Sequence, residues 1–437
     1  MPETACSNWE VYFLESSTIT LIITGVTIVC FITEVIPIAV TAISSALAMA
    51  IFGVISFGDA FSGFSHDVPM MLTGACILGE ALFETGAAEK LGEIVVRIAG
   101  KNQKIFTAVM FLLSAVMSSL LSNTAVVAAM LPIISAAAAT SKGKLTKKNT
   151  FMAVGIGANL GGSLTLAGSS TNMIGQGILA EAGVETMSFF DLTMGSIPRL
   201  IFCTLFYLTV GEALQNKVFS FVEVSETTVA SQSETASSKS NGRMWLSIII
   251  LVGTIVGFAT ETWTFGTVAM VAGVLCIITK CISIKAVYQR MDWTTIWVVA
   301  GSLGFACGLD KSGAGKLIAD TAIKLVGSNM SNYTFLILFS VLSVLLANFM
   351  SSTATMAMLA PIGIFMARGL GFDPKALVMA LVWCINLAFA TPVGTPPITM
   401  TLSGGYSFKD YVKVGGILVV CCTVITILSY PLLFDLK

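Results

Sequence analysis

The sequence predicts an all-α protein that crosses a lipid bilayer several times and is built from two related halves. Three observations support this: a low charge content, recurring long apolar stretches, and motifs that repeat in order. Hydrophobic residues make up 55% of the 437 residues and charged residues only 11%, against about 25% in ordinary soluble domains. A soluble protein of this length could not cover its surface with so few charges.

The first half contains apolar stretches that approach the roughly 18 residues needed to span a bilayer core. Glu34 and Pro37 separate the first two, which predicts a helical hairpin. The later stretches are interrupted by polar or glycine-rich segments. In order, the predicted helices are Thr18–Ile36, Pro37–Ser56, Asp67–Phe83, Ile105–Leu121, Ala125–Thr140, Phe151–Ala180 and Ser196–Leu214.

A change of composition divides the chain. Residues 224–243 are rich in Ser, Thr and Glu and cannot bury a core, which predicts a flexible linker between halves 1–223 and 244–437. Not every predicted helix is expected to cross the bilayer, and about eleven spans are predicted. The predicted helices of the second half are Trp245–Thr260, Thr264–Cys281, Thr294–Leu309, Phe335–Met350, Thr355–Arg368, Ala376–Phe389 and Val412–Phe434.

The two halves share motifs at a nearly constant offset. Gly74 matches Gly301 (301 − 74 = 227), and Gly168 matches Gly394 (394 − 168 = 226). Four motifs recur in the same order, so the second half is interpreted as a duplicate of the first. The other matches are Leu82 with Leu309, Gly86 with Gly313, Ser122-Asn123-Thr124 with Ser351-Ser352-Thr353, Pro132 with Pro361, and Thr165 with Thr391.

Each half carries two interruptions of its apolar stretches. One is a hairpin tip at 122–124 or 351–353, and the other is a break inside the helical segment 151–180 or 376–403. Backbone in lipid must satisfy its own hydrogen bonds, so broken helices persist only inside protein or beside a cavity. Corresponding breaks in two repeats predict a substrate site of a secondary transporter near the bilayer midplane.

Basic residues on both sides of the first hairpin support a re-entrant geometry. Lys101 and Lys104 precede it, and four lysines follow it within residues 142–148. Short basic loops favour the cytoplasm, so the segment between them is predicted to enter the membrane and return. An ordinary spanning pair with a polar turn is the alternative, because Ser and Thr are also common packing residues in membrane helices.

The chemistry of these motifs indicates binding of an anion without a formal positive charge. Neither motif contains Lys or Arg. Helix N-termini, hydroxyl groups and the Asn123 amide can hold a carboxylate or oxyanion. Free carbonyls and hydroxyls can hold a cation such as Na⁺, which would offset the charge of the anion and couple the two fluxes.

At these residues the chain resembles the divalent anion/sodium symporter (DASS) family, which includes INDY-like dicarboxylate and citrate carriers. Ser122-Asn123-Thr124 matches the family's signature at a re-entrant hairpin tip, and Gly394-Thr395-Pro396-Pro397 matches its second break. The stretch from Thr33 to Ala42 also looks like the family's early helices. The resemblance runs in order from about Thr18 to the C-terminus.

The resemblance implies inverted repeats, a homodimer and a mobile transport part that moves as an elevator past a fixed scaffold. It also implies two sodium sites around one substrate. The first would use Ser118, Ser122, Asn123 and Gly168, and the second, weaker one Ser351, Thr353 and Gly394. The implied substrate ligands are Asn123, Thr124, Ser169, Ser352, Thr353, Thr395 and Pro396.

Three departures from the family pattern bear on coupling and substrate. Ser352 replaces an expected Asn, Ala347 stands where Ser118 predicts a hydroxyl, and both breaks differ, with Ser170-Thr171 in place of Pro-Pro in the first and Ile398 in place of Asn in the second. The expected function is therefore a secondary active transporter of a small di- or tricarboxylate, sodium-coupled and elevator-type. A sodium-independent anion exchanger or a carrier of a sulfate-like oxyanion is the alternative.

Other classes of protein fit less well. An intramembrane Ser–His protease would depend on the single histidine, His66, and no Gly-x-Ser-x-Gly motif accompanies it. A channel would also use broken helices, and only flux measurements separate it from a carrier. The expected partners are the anion, sodium and the bilayer, and no nucleic acid is expected. The expected location is the cell membrane, which the chain crosses several times. The acidic N-terminus favours the outside, whereas the family pattern places it in the cytoplasm.

Overall fold

The computed structural model describes residues 15–88, 90, 100, 102–141, 143–219, 241–326 and 331–434. Within these ranges the chain is helical and contains no β-strand, which confirms the all-α prediction. Seven helical stretches in this part are long and apolar enough to cross a bilayer, and four shorter apolar helices accompany them. Val26 and Val420 are 59% and 63% exposed, as expected for lipid-facing positions. The number of spans stays a prediction.

The described residues of the first half form ten α-helices. A π-helical turn, Tyr207–Gly211, joins the last two of them. The helices are α1 Ser16–Thr33, α2 Ile38–Ile51, α3 Phe57–Phe61, α4 Asp67–Glu84, α5 Gln103–Ser118, α6 Asn123–Thr140, α7 Lys147–Gly162, α8 Ser170–Glu181, α9 Asp191–Phe206 and α10 Glu212–Val218.

The described residues of the second half form eleven α-helices in a similar order. Its helices are α11 Asn241–Thr260, α12 Phe265–Ile278, α13 Ile284–Arg290, α14 Trp293–Lys311, α15 Ala314–Val326, α16 Asn332–Phe349, α17 Ser352–Leu370, α18 Pro374–Ile385, α19 Pro396–Met400, α20 Phe408–Asp410 and α21 Gly416–Leu433.

The linker prediction needs one correction. Residues 224–240 of the predicted linker lie outside the described part of the chain, but Asn241, Gly242 and Arg243 already form the first turn of α11. This polar turn directly precedes the apolar run that starts at Met244, so the helix extends beyond its apolar part.

Reciprocal packing relates the two halves. Helix α4 packs along α12, and helix α14 packs along α2. Gly74 of α4 lies against the backbone of Ala269, and a Cβ on Gly301 of α14 would lie 2.7 Å from the carbonyl carbon of Ala42. Ala42 and Ala269 are themselves 227 residues apart (269 − 42 = 227). The repeated glycines therefore permit the same close helix crossing in both halves.

Helices α5 and α6, and α16 and α17, form the two predicted hairpins. Their turns end at Ser122 and Ser351, which are the N-caps of α6 and α17. The backbone angles of the two caps agree closely, with φ and ψ of −54° and 125° at Ser122 and −58° and 133° at Ser351. The signature residues that follow each cap therefore form the first turn of a helix, where backbone N–H groups are free.

Both predicted breaks are present, with shifted outer limits. The first broken segment begins at Lys147 and ends at Glu181, and its break lies between Gly162 and Ser170. In the second, α18 begins at Pro374, and α19 continues into a 3₁₀ turn, Thr401–Gly404. Residues 149–162 of α7 are buried on every side. A helix buried all round belongs in the core, so the broken helices occupy the centre of the protein.

Candidate functional site

A cavity of about 370 Å³ lies where the two hairpin tips meet the two breaks. This volume falls within the range of roughly 300–1,000 Å³ that is common for small-molecule sites. The lining includes every residue predicted from the sequence except Ser118. These lining residues are Ser122, Asn123, Thr124, Gly168, Ser169, Ser351, Ser352, Thr353, Gly394, Thr395 and Pro396. The structure brings them together, and their individual roles as ligands stay predictions.

Ser118 lies directly behind the first tip. It is fully buried, and its hydroxyl donates a hydrogen bond to Oδ1 of Asn123. Asn123 is further confined by Gly162, since a Cβ on that glycine would lie 2.7 Å from Asn123 Nδ2. Ser118 therefore orients the Asn123 amide at the start of α6.

Carbonyl oxygens converge on Gly168 in the first break. A Cβ on this glycine would lie 2.6 Å from the carbonyl oxygen of Gly162 and 3.0 Å from those of Ser118 and Ser119. Main-chain oxygens are the hard ligands that alkali cations take from proteins. The absence of a side chain at Gly168 keeps this group of oxygens open.

The second break repeats the arrangement at Gly394. A Cβ there would lie 2.5 Å from the carbonyl oxygen of Ala347 and 3.5 Å from that of Ala388. Ala347 occupies the position of Ser118 in the repeat, so its main-chain oxygen stands where Ser118 offers its own. The missing hydroxyl at Ala347 leaves this carbonyl contribution intact.

Each break is fastened to the hairpin of its own half. The hydroxyl of Thr165 donates to the carbonyl oxygen of Ser119, and the hydroxyl of Thr391 donates to that of Asn348. These threonines were among the repeated residues in the sequence. Their shared role is to hold the break against the last turn before the tip.

Asn159 and Asn386 line the cavity and were missed from the sequence. Asn159 Nδ2 donates to Thr395 Oγ1 at 2.9 Å and to the Ala388 carbonyl at 3.3 Å. Asn386 makes the reverse connection, from the second half to the first: its Nδ2 donates to Thr171 Oγ1 at 3.3 Å. The two asparagines are 227 residues apart (386 − 159 = 227), and this offset within apolar segments was the available signal.

A charged cluster at one side of the cavity was also missed. Arg290 lies 2.9 Å from Glu84 and 3.4 Å from Glu80, and the cavity lining includes Arg290, Glu80 and Asp292. Arg290 and Glu84 are 48% and 44% exposed, so the cluster lies where the cavity reaches the surface. The sequence predicted no basic side chain near the site, because Arg290 is distant in sequence from every motif.

Arg199 lies fully buried behind both breaks. It donates to the Trp383 carbonyl at 2.7 Å and to the hydroxyls of Ser196 and Ser163 at 2.8 and 3.4 Å. No acidic side chain in the described ranges forms an ion pair with it. Because Ser163 and Trp383 lie at the C-terminal ends of α7 and α18, the guanidinium faces the negative ends of two helix dipoles.

Comparisons with solved structures agree with this architecture. The YdaH transporter of Alcanivorax borkumensis superposes with a TM-score of 0.60 at 15% identity, over 86% of this chain and 88% of that one. MtrF of Neisseria gonorrhoeae gives a TM-score of 0.65 at 12% identity, over 95% of each chain. At these identities the likeness concerns the fold alone.

Similar sequences cover nearly the whole chain. An uncharacterized transporter of Haemophilus influenzae is 26% identical over 92% of this chain and 89% of that protein. The sodium-dependent dicarboxylate transporter SdcS of Staphylococcus saprophyticus is 24% identical over 88% and 80%. The sodium-dependent high-affinity dicarboxylate transporter 3 of Caenorhabditis elegans is 23% identical over 92% and 80%.

The family described as citrate transporter (CitMHS) matches residues 28–362 and 308–436, which together cover most of the chain. This match and the similar dicarboxylate transporters confirm the resemblance inferred from the two signatures, and they identify a transporter instead of an enzyme. The chain therefore belongs to the citrate transporter family and is a multi-pass transporter of the cell membrane.

Proposed function

We propose that this transporter carries a small di- or tricarboxylate together with Na⁺. The observation that supports this most is the shared cavity, in which two hairpin tips and two breaks from related halves converge. Helices α6, α8 and α17 begin at its lining, so their free N–H groups and positive dipole ends favour an anion. Hydroxyls of Thr124, Ser169 and Thr353 add further donors.

The carbonyl groups around Gly168 and Gly394 support two cation sites beside the anion. Each provides main-chain oxygens and no acidic side chain. Na⁺ bound there would offset the negative charge of a carboxylate in a site where only Arg290 among the described lining residues carries a positive charge. The sodium-dependent relatives from Staphylococcus and Caenorhabditis agree with this coupling.

An elevator motion fits the arrangement of the predicted ligands. All of them belong to the hairpins and the broken helices, whereas α2, α4, α12 and α14 form the reciprocal crossings at the side. The proposed motion carries the hairpins and broken helices past these four crossing helices, which form part of a fixed scaffold.

A homodimer would anchor that scaffold. Mass photometry in nanodiscs tests the homodimer: a protein mass near 45.9 kDa, that of a single chain, would contradict it.

Uptake into proteoliposomes tests the substrate and the coupling. We expect saturable uptake of citrate or succinate that rises at least about tenfold with an inward Na⁺ gradient and shows counterflow. Counterflow distinguishes a carrier from a channel. Uptake of sulfate alone, or anion exchange indifferent to Na⁺, would support the alternatives instead, and failure of all three anions under both conditions would contradict the proposed substrate class.

A further inference from the structure

Glu34 holds the tip of the second hairpin from outside that hairpin. Its Oε1 accepts a hydrogen bond from the backbone N–H of Ser351 at 3.1 Å. Glu34 ends α1 with a φ of 49°, a left-handed conformation that is uncommon for residues other than glycine. The backbone at the end of α1 therefore brings an exposed carboxylate to the N-cap of α17.

The repeat contains an equivalent glutamate. Glu261 follows α11 as Glu34 follows α1, lies 227 residues later (261 − 34 = 227), and has the same φ of 49°. Its corresponding target is Ser122, whose backbone angles match those of Ser351. Although all four residues are described, only Glu34 has the hydrogen bond to a tip. The contact thus occurs in one half and is absent from the other.

The cavity lining also differs between the two halves. Cys76 and Glu80 of α4 line it. Their counterparts on α14, Leu303 and Cys307, are only 1% and 5% exposed. A Cβ on Gly177 of α8 would lie 2.9 Å from Leu303, so the transport part packs against α14 at the position that corresponds to the cavity-lining Cys76 of α4.

Inverted repeats exchange their conformations when a transporter reverses its access. We propose that Glu34 and Glu261 are alternating latches, each holding the hairpin tip of the other half in one of the two end states. Glu34 bonded to Ser351 stabilises the state described here, with α4 facing the cavity. Glu261 bonded to Ser122 stabilises the opposite state, with α14 facing it. This inference rests on the alternating access proposed above.

Two native cysteines report the two states. Cys76 lines the cavity in this structure, and Cys307 would line it in the opposite state. Purified protein in liposomes is treated with N-ethylmaleimide, and modification of each cysteine is followed by peptide mass spectrometry. The ratio of the Cys76 rate to the Cys307 rate then measures the balance between the states.

We expect Glu34→Ala to lower this ratio by about two- to tenfold, and Glu261→Ala to raise it by a similar factor, since each variant removes an exposed, charge-assisted hydrogen bond. Glu34→Gln, which keeps the shape, should lower it less. Asp320→Ala removes an exposed carboxylate elsewhere and should leave the ratio unchanged. Opposite shifts in equivalent variants separate a latch from a general loss of folding, which would move both in one direction.

An unchanged ratio in both glutamate variants, or a shift of both in the same direction, would overturn the latch. The labelling requires no transported anion, so it is independent of substrate identity. If wild-type protein transports a carboxylate while both glutamate variants leave the ratio of modification rates unchanged, the latch alone is wrong. If wild-type protein transports none of the anions tested, the proposed substrate fails whatever the ratio shows.

Discussion

The side-chain amide of Asn159 donates a hydrogen bond to the hydroxyl of Thr395, 2.9 Å away, and joins the helix before the first break to the residue that follows the second. Asn386 makes the reverse connection through Thr171. These two hydrogen bonds therefore connect the two breaks to each other.

Replacing Asn159 by alanine should lower transport by about tenfold or more. The substitution removes the donor that positions Thr395 and leaves the Ala388 carbonyl without this partner, at a cost of about 1–3 kcal/mol. The measurement is the initial uptake rate over a range of anion concentrations, beside a thermal melt. Asn386→Ala should behave alike, and unchanged kinetics in both variants would contradict the role of these cross-connections.

Gly168→Ala should abolish the sodium dependence of uptake and reduce transport at least about tenfold. The added methyl group would lie 2.6 Å from the Gly162 oxygen, within the space around which the carbonyls converge. Gly253→Ala is the matched control, because no neighbouring atom lies within 4 Å of its added carbon. The measurement is uptake as a function of Na⁺ concentration, and normal sodium activation in Gly168→Ala would exclude the first cation site.

Arg290→Gln should raise the KM for a carboxylate about two- to fivefold with little effect on the maximal rate. A half-exposed cation contributes roughly 0–1 kcal/mol to attraction of an anion, and salt screens this contribution. The difference from wild type should therefore shrink at high ionic strength. Lys409→Gln, an exposed lysine away from the cavity lining, serves as the control. An equal KM at low ionic strength would show that Arg290 serves only Glu80 and Glu84.

The ion pair between Asp59 and Lys311 predicts a pH dependence of stability. Their charged atoms are 2.7 Å apart, and the hydrogen bond from Lys311, followed by those from the hydroxyl and backbone N–H of Ser56, lowers the pKa of Asp59 from 3.8 to about 2. Because the folded pKa lies below the unfolded one, the stabilisation is complete above about pH 4 and is lost as the pH falls towards about 2.

Melting temperatures of wild type and Asp59→Asn, measured between pH 2 and 6, test this expectation. The two proteins should differ most above pH 4 and converge as the pH approaches 2. Asp320→Asn provides a control for an exposed carboxylate outside this ion pair. A difference between wild type and Asp59→Asn that stays constant over the whole range would rule out Asp59 as the titrating group.

Much of the cavity lining could be predicted because helix breaks leave a local signature. Ser122-Asn123-Thr124 and Gly394-Thr395-Pro396 are short polar or glycine- and proline-containing interruptions of apolar runs, and their repetition showed that they belong together. Asn159 and Asn386 lack such a signature, since each is a single polar residue inside a long apolar segment. The position of Arg290 could not be predicted for a different reason: it lies beside Glu80 through a contact between residues 210 positions apart.

A duplicated membrane protein with two interrupted segments in each half follows from the sequence alone, because hydrophobic length and repeat offset can be read along the chain. Only the folded structure shows which side of the cavity is open and that Glu34, not Glu261, contacts a hairpin tip. Two nearly equivalent halves encode both arrangements equally well, so only the packing of one half against the other can distinguish them.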